Sequence, residues 1–247
     1  MKMHVISSGS KGNASLIYDD KTVVLVDLGI SYSRLQEGLE EINKEIKDIN
    51  FCLCTHEHSD HCKGVRFLDA KLWYTRAGTL KNISENHILE VFHEYHFGDI
   101  TVTPLLISHD AIAPCGFLFQ EDNIKIAYLT DSGYVPETTL KLIKNCDYYF
   151  FESNFDVDML INSARPIFLK ERILGAEGHL SNRQSATYLA NLVGKNTKAI
   201  MLAHLSEECN NPKVALKTIK EIFKDNNIST RKIKISCAEQ YRSVDLC

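Results

Sequence analysis

Within the seven residues Thr55-His56-Glu57-His58-Ser59-Asp60-His61 the chain places three imidazoles and the carboxylate of Asp60. The segment follows directly on the apolar run Phe51-Cys52-Leu53-Cys54. A half-buried strand alternates its side chains between two faces, so part of such a set would point into the core. A loop at the carboxyl end of a buried strand can instead turn all of them into one cleft. Imidazole nitrogen mixed with carboxylate oxygen suits Zn²⁺, Mn²⁺ or Fe²⁺, whereas Ca²⁺ and Mg²⁺ favour oxygen alone. A structural zinc site is usually rich in cysteine, and no Cys-x-x-Cys occurs in the chain.

The elements that must position these groups show the same event several times over. An apolar run ends, and an acidic residue or a histidine follows: Asp27 after residues 22–26, His109 after 100–107, Asp131 after 125–129, Glu152 after 148–151 and His204 after 198–202. Residues 4–6, 15–18, 71–75, 116–119 and 232–236 complete the expected strands. Hairpins are expected through Asp19-Asp20-Lys21 and through Glu121-Asp122-Asn123. Leu35, Leu39, Ile42 and Ile46 fall at helical spacing, which predicts a helix over 33–46 capped by Ser31 or Ser33. Further helices are expected from 64–68 onward and over 77–85, 137–145, 158–162, 166–174, 184–193 and 212–224. Strands alternating with helices, without a long linker, give one α/β layered domain spanning 1–247.

Two more segments bear on chemistry. Ser8-Gly9-Ser10-Lys11-Gly12-Asn13 is a small-residue loop after the first strand, able to present N–H groups to an anion, although a plain connecting turn fits its composition equally. Gly178-His179-Leu180-Ser181-Asn182 opens the helix at 184–193, so His179 lies near a helix N-terminus, where an anion is favoured. His87, His93 and His96 lack ligand-like spacing and read as surface or core histidines.

Composition sets the outer bounds. The chain is 44% hydrophobic and 24% charged, as in an ordinary globular protein. A net charge of -4 argues against a broad basic nucleic-acid surface. It does not argue against nucleic acid itself, because a metal cleft supplies positive charge where a phosphate sits. The eight cysteines are scattered and no apolar leader follows Met1, so reduced, mostly buried thiols in a cytoplasmic protein are expected. No run approaches the ~18 apolar residues of a membrane span.

The set Asp27, His56-x-His58-x-Asp60-His61, His109, Asp131 and His204 resembles the metallo-β-lactamase-fold hydrolases over nearly the whole chain. That resemblance implies a four-layer αβ/βα sandwich and two divalent metal ions, Mn²⁺, Zn²⁺ or Fe²⁺. It implies His56, His58 and His109 as ligands of one ion, Asp60, His61 and His204 as ligands of the second, and Asp131 as the bridge. Asp27 would be a supporting carboxylate, and Asp60 would also orient a hydroxide held between the metals. Aspartate at 131, where the antibiotic-hydrolysing members usually carry cysteine, is similar to the phosphodiesterase, thioesterase and lactonase branches. Gly178-His179-Leu180-Ser181 and Ala203-His204-Leu205-Ser206 resemble motifs of RNase Z-like nucleases, which implies that His179 stabilises charge or protonates a leaving oxygen.

More narrowly, Ser8-Gly9-Ser10-Lys11-Gly12-Asn13, Ser108-His109-Asp110-Ala111, Thr130-Asp131-Ser132-Gly133-Tyr134, Glu152-Ser153-Asn154 and Gly178-His179-Leu180-Ser181-Asn182 together look like the YycJ/WalJ group of 5′→3′ DNA exonucleases. The implied substrate is DNA carrying a 5′-phosphate, with Ser10, Lys11, Gly12, Asn13 and Arg183 as candidate contacts. Phe155 stands where that group's pattern leads one to expect histidine. An RNA nuclease, or a thioester or lactone hydrolase on the same fold, shares the metal motif.

Overall fold

Every long strand here is apolar on both faces, which requires packing on both sides of a sheet. The structure, a computed structural model describing all 247 residues, meets that need with two stacked sheets. β1 (Lys2–Ser7), β2 (Ala14–Tyr18), β3 (Val23–Val26), β4 (Phe51–Cys54) and β5 (Trp73–Thr75) lie side by side in chain order. β6 (Tyr95–Phe97), β7 (Ile100–Leu106), β8 (Cys115–Glu121), β9 (Ile124–Leu129), β10 (Tyr148–Glu152), β11 (Ala199–Ala203) and β12 (Lys234–Cys237) form the second sheet. A short β13 (Val244–Asp245) returns to pair with β1. The helices are α1 (Tyr32–Glu41), α2 (Ser59–Cys62), α3 (Glu137–Leu142), α4 (Val157–Asn162), α5 (Ile167–Leu174), α6 (Asn182–Leu192) and α7 (Pro212–Asp225).

The strand period of two explains the layers. Val24 and Val26 of β3, Leu53 of β4, Phe117 and Phe119 of β8 and Phe150 of β10 meet between the sheets. The alternate residues Leu25, Cys52 and Cys54 face outward onto Leu35 and Leu39 of α1. On the other side Tyr149, Phe151 and Leu202 face Leu189 of α6 and Ile219 and Phe223 of α7. Helix, sheet, sheet, helix is the expected four-layer sandwich.

The topology collects the functional strand ends. β3, β4 and β5 are parallel, and β1 runs with them through antiparallel β2. β9, β10, β11 and β12 are parallel, and β7 runs with them through antiparallel β8. The carboxyl ends that precede Ser8, Asp27, His56, His109, Asp131, Ser153 and His204 therefore share one edge of the sandwich. The His204 N–H donates to Ser8 Oγ (2.9 Å) and the Cys115 N–H to the Thr55 carbonyl (3.1 Å), joining the sheets there.

Several expected elements differ. Residues 77–85 form turns rather than a helix, and a single 3-10 turn follows at Glu85–His87. Gly78 and Asn82 there adopt positive φ, which a regular helix excludes. The helix after the histidine cluster starts earlier than 64, as the one-turn α2 that carries Asp60 and His61, and a 3-10 turn occupies Val65–Phe67. α1 stops at Glu41, short of 46, because Asn43 takes a left-handed φ of 57°. The Lys44 N–H then reaches the Leu39 carbonyl and the Asn43 N–H the Glu40 carbonyl, closing the helix. The eight cysteines are unpaired thiols, and no helix is long and apolar enough to cross a membrane.

One close approach fixes the floor of the shared edge. The Asn13 N–H donates to the Asp60 carbonyl (2.7 Å), the Leu28 N–H to the His61 carbonyl (2.8 Å) and the Gly29 N–H to the Asn13 carbonyl (2.8 Å). A Cβ on Gly29 would lie 1.6 Å from the Asp60 carbonyl oxygen, whereas one on Gly175 would meet nothing nearer than 3.4 Å. Gly29→Ala should cost about 3 kcal/mol by overpacking and lower metal content, while Gly175→Ala should change neither. Denaturant unfolding with elemental analysis of both variants checks this; equal behaviour would contradict the packing account.

Candidate metal centre

Three of the strand-end residues leave their strands in the left-handed region. Asp27 has φ 60°, Asp131 φ 52° and His204 φ 53°. Each such turn costs a non-glycine residue on the order of 1–3 kcal/mol and persists where surrounding contacts hold it. Asp and His are among the residues most tolerant of that region. The turn takes each side chain out of the strand's alternation and into the cleft between the sheets.

His56, His58 and His109 form one group whose candidate ligand atoms lie within 4.8 Å of one another. Partners on the outer nitrogens of His56 and His109 turn their Nε2 atoms inward. The Thr55 hydroxyl donates to Asp27, so His56 Nδ1–H is left to donate to Thr55 Oγ1 (3.0 Å). His109 Nδ1–H donates to the Gly178 carbonyl (3.1 Å), and its Nε2 lies 3.3 Å from His58 Nδ1. Burial drives the pKa of His56 well below the usual imidazole range and lowers that of His109.

Asp60, His61 and His204 form a second group. His61 Nδ1–H donates to Asp27 Oδ2 (2.8 Å), and Asp27 also receives the Thr55 N–H (2.8 Å). His61 Nε2 then faces Asp131 Oδ2 at 3.0 Å, with Asp60 Oδ2 at 3.7 Å from both His61 Nε2 and His204 Nε2. Asp131 lies between the groups, grouping with His56 and His61 on one side and with His179 and His204 on the other. Burial disfavours the charged form of His61, yet Asp131 and Asp27 raise its pKa well above the ordinary value. Burial likewise opposes protonation of His204, but Asp131, Asp60 and Glu152 carry it up to about 10. Burial would raise Asp131; His204 and His61 hold it well below the carboxylate range.

Buried His56 Nε2 and His204 Nε2 have no hydrogen-bond partner in the protein. Leaving two such atoms unsatisfied in the interior is costly. Cations held by the mixed nitrogen and oxygen donors would satisfy both, so the residues fit the metal ions expected here.

Glu152 is the residue that sequence reasoning left outside the site, although its place after an apolar run was the available signal. It is fully buried and receives the N–H groups of Ser132 (2.9 Å) and Leu180 (3.1 Å). Its Oε1 accepts from His179 Nδ1 (2.7 Å) and lies 3.2 Å from His204 Nδ1. His179 is thereby placed against the centre, its ring 5.2 Å from that of His109 and 5.3 Å from that of His204. Phe155 is a core residue, packed with Leu160, Ile173 and Cys209.

The glycine-rich loop is placed otherwise than as a run of substrate contacts. Gly12 and Asn13 are buried. Asn13 Nδ2 reaches His61 Nε2 (2.9 Å), the Gly9 carbonyl and the Asp60 carbonyl, so Asn13 buttresses the centre. Ser10 and Lys11 remain at the surface, with Lys11 Nζ on Glu207 (2.8 Å) and Tyr241 (2.7 Å). Arg183 is exposed in the first turn of α6. His87, His93 and His96 each have a local partner away from the centre: the Trp73 carbonyl, Glu90 and Thr101.

Two predictions follow from the geometry. Asp131→Ala should reduce bound metal in both groups, since Asp131 neighbours both, whereas His93→Ala should leave metal content unchanged; elemental analysis after reconstitution and desalting distinguishes them. The second concerns pH. A metal takes an imidazole only without its ligating proton. His61 and His204, both raised, keep that proton across neutrality, while lowered His56 and His109 do not. Affinity of the Asp60, His61 and His204 group should therefore rise with pH until about 10. Calorimetry in buffers of different ionisation enthalpy should show about two protons released per ion there, one from each imidazole; release confined to the His56, His58 and His109 group would contradict it.

Comparison with known proteins agrees with this architecture. The family model "Beta-lactamase superfamily domain" matches residues 22–204. The chain is 36% identical over 232 residues to exodeoxyribonuclease WalJ of Streptococcus pneumoniae, covering 88% of this chain and 86% of that one. It is 34% identical over 233 residues to exodeoxyribonuclease YycJ of Bacillus anthracis, covering 90% and 88%. Among solved structures, the metallo-β-lactamase-fold protein YhfI from Bacillus subtilis superposes with a TM-score of 0.72 at 16% identity, over 99% of this chain and 100% of that one. With its family model matched over most of its length and its histidine and aspartate groups gathered at one sheet edge, the chain belongs to the β-lactamase superfamily and is a metal-dependent hydrolase.

Proposed function

We propose that this protein is a two-metal phosphodiesterase that degrades DNA from the 5′ end. The observation that carries the reading is the convergence of two ligand groups with the Glu152–His179 pair at a single edge. Similarity to two exodeoxyribonucleases over most of the chain supports DNA as the substrate. In this reading His56, His58 and His109 would hold one divalent ion and Asp60, His61 and His204 the other, with Asp131, which neighbours both groups, available to each. Mn²⁺, Zn²⁺ and Fe²⁺ all suit these donors. The ions would polarise the scissile phosphate and lower the pKa of attacking water.

The chain's own residues supply the remaining steps. Asp60, only partly buried, orients the attacking water. Glu152 fixes His179 through Nδ1, which leaves the other ring nitrogen to give a proton to the leaving oxygen as the P–O bond breaks. Asp27 and Asn13 keep His61 and Asp60 in register. Positive charge from the centre stands in for the basic surface that a chain of net charge -4 lacks. Eight unpaired thiols suit the reducing cytoplasm.

Duplex DNA labelled at either end, with and without a 5′-phosphate, tests the assignment. Release of the 5′ label first is expected, faster with the phosphate. Release from the 3′ end, internal cutting only, or turnover of RNA, a thioester or a lactone in place of DNA would overturn it. His179→Ala should lower kcat by ~10²-fold or more with metal content normal; an unchanged kcat would remove His179 from the chemistry.

A further inference from the structure

Arg172, near the end of α5, reaches across to the centre, and nothing in the reading above uses it. Its Nε donates to Asp110 Oδ2. Asp110 follows the candidate ligand His109 directly, and its other oxygen, Oδ1, lies 3.4 Å from His109 Nε2 and 4.0 Å from His58 Nε2. Oδ1 is buried and accepts no hydrogen bond. The guanidinium thus stands one carboxylate away from the nitrogens of the first ligand group.

That placement is rigid. The loop following α5 is pinned where the Asp110 N–H donates to the Glu177 carbonyl (3.0 Å) and the His179 N–H to the Ile173 carbonyl (3.0 Å). A Cβ on Gly178 would lie 2.2 Å from the Arg172 carbonyl oxygen, so the end of α5 and the His179 segment move as one body. Arg172 is nevertheless 53% exposed, and Asp110 is its only side-chain partner. Both Nη groups are therefore free to donate. Two other cations of this segment are taken up: Arg165 by Glu208 and Lys170 by the Ile161 and Ser163 carbonyls.

We infer that Arg172 is a substrate-binding residue whose two Nη groups grip the phosphate next to the scissile one on the same strand. A guanidinium presents a planar fork that matches two phosphate oxygens. Asp110 stands between it and His58 and His109, so it cannot share the scissile phosphate's place and meets the neighbouring one. Asp110 aims the fork through Nε. The inference rests on the nuclease reading and deepens it, because it requires a substrate with consecutive phosphates.

The test pairs Arg172→Ala and Arg172→Lys with oligonucleotides in which one linkage beside the scissile position is an uncharged methylphosphonate. Binding is followed by fluorescence anisotropy on metal-free protein over a salt series, and cleavage on Mn²⁺-loaded protein. With ordinary DNA, Arg172→Ala should raise Kd about tenfold and reduce the salt slope by about 0.7–0.9, the loss of one phosphate contact; Arg172→Lys should recover part of the affinity. On the methylphosphonate, wild type and Arg172→Ala should bind alike. Turnover of bis(p-nitrophenyl) phosphate, which has no neighbouring phosphate, should fall much less in Arg172→Ala than turnover of DNA does. Additive effects of variant and methylphosphonate, or an equal loss on the small ester, would overturn the inference. Wild type that binds DNA but cleaves neither substrate would instead sink the nuclease reading, with the anisotropy cycle still deciding Arg172.

Discussion

A carboxylate with no exposure to solvent, Asp27, is the constraint on which the rest of the centre depends. It sits at the end of β3 with a left-handed φ and takes the Thr55 N–H and hydroxyl from the next strand and Nδ1–H from His61. Isolated, such a buried charge would be prohibitive. Satisfied three times, it joins two adjacent strand ends and sets which nitrogen of His61 faces inward. Removing one partner of a buried pair of this kind typically costs about 3–5 kcal/mol, so the local strain at Asp27 is well covered by what it holds.

Around that fixed point the electrostatics divide the centre. In the His56, His58 and His109 group the outer nitrogens of His56 and His109 rest on neutral partners, the Thr55 hydroxyl and the Gly178 carbonyl, and Asp110 is the nearest carboxylate, 3.4 Å from His109 Nε2. The Asp60, His61 and His204 group is framed by carboxylates, with Asp131, Asp27 and Glu152 around two imidazoles. Without metal the second group balances its carboxylates with protons. With metal the same carboxylates face cations, and the protons leave. Glu152 extends this logic outward, because one buried side chain steadies both His204 and His179. A residue that supports metal binding and a residue suited to proton transfer thus share a support.

Much of this was legible in the residue order. His56, His58, Asp60 and His61 are close in sequence because one loop and one helical turn supply them, and Asp27, His109, Asp131 and His204 each follow an apolar run that had to be a strand. What was not legible is what depends on conformation across the fold. Positive φ at Asp27, Asp131 and His204 has no signature in residues that are not glycine. Asn13 reads as part of an anion-binding loop until the close approach of Gly29 to Asp60 shows it turned inward. Arg172, six residues before the Gly178 motif and inside a helix with no motif of its own, enters only because the loop after α5 is bonded beneath His109 and Asp110. The helix expected over 77–85 failed for a local reason, the positive φ of Gly78 and Asn82.

The central claim is that this sheet edge builds two adjacent metal sites rather than one. Anomalous diffraction from crystals soaked in Mn²⁺, recorded at the manganese edge, tests it most directly. The account predicts two peaks, one among His56, His58 and His109 and one among Asp60, His61 and His204, with the Asp131 carboxylate between them. A single peak at saturating Mn²⁺, or a second peak away from Asp60 and His204, would contradict it.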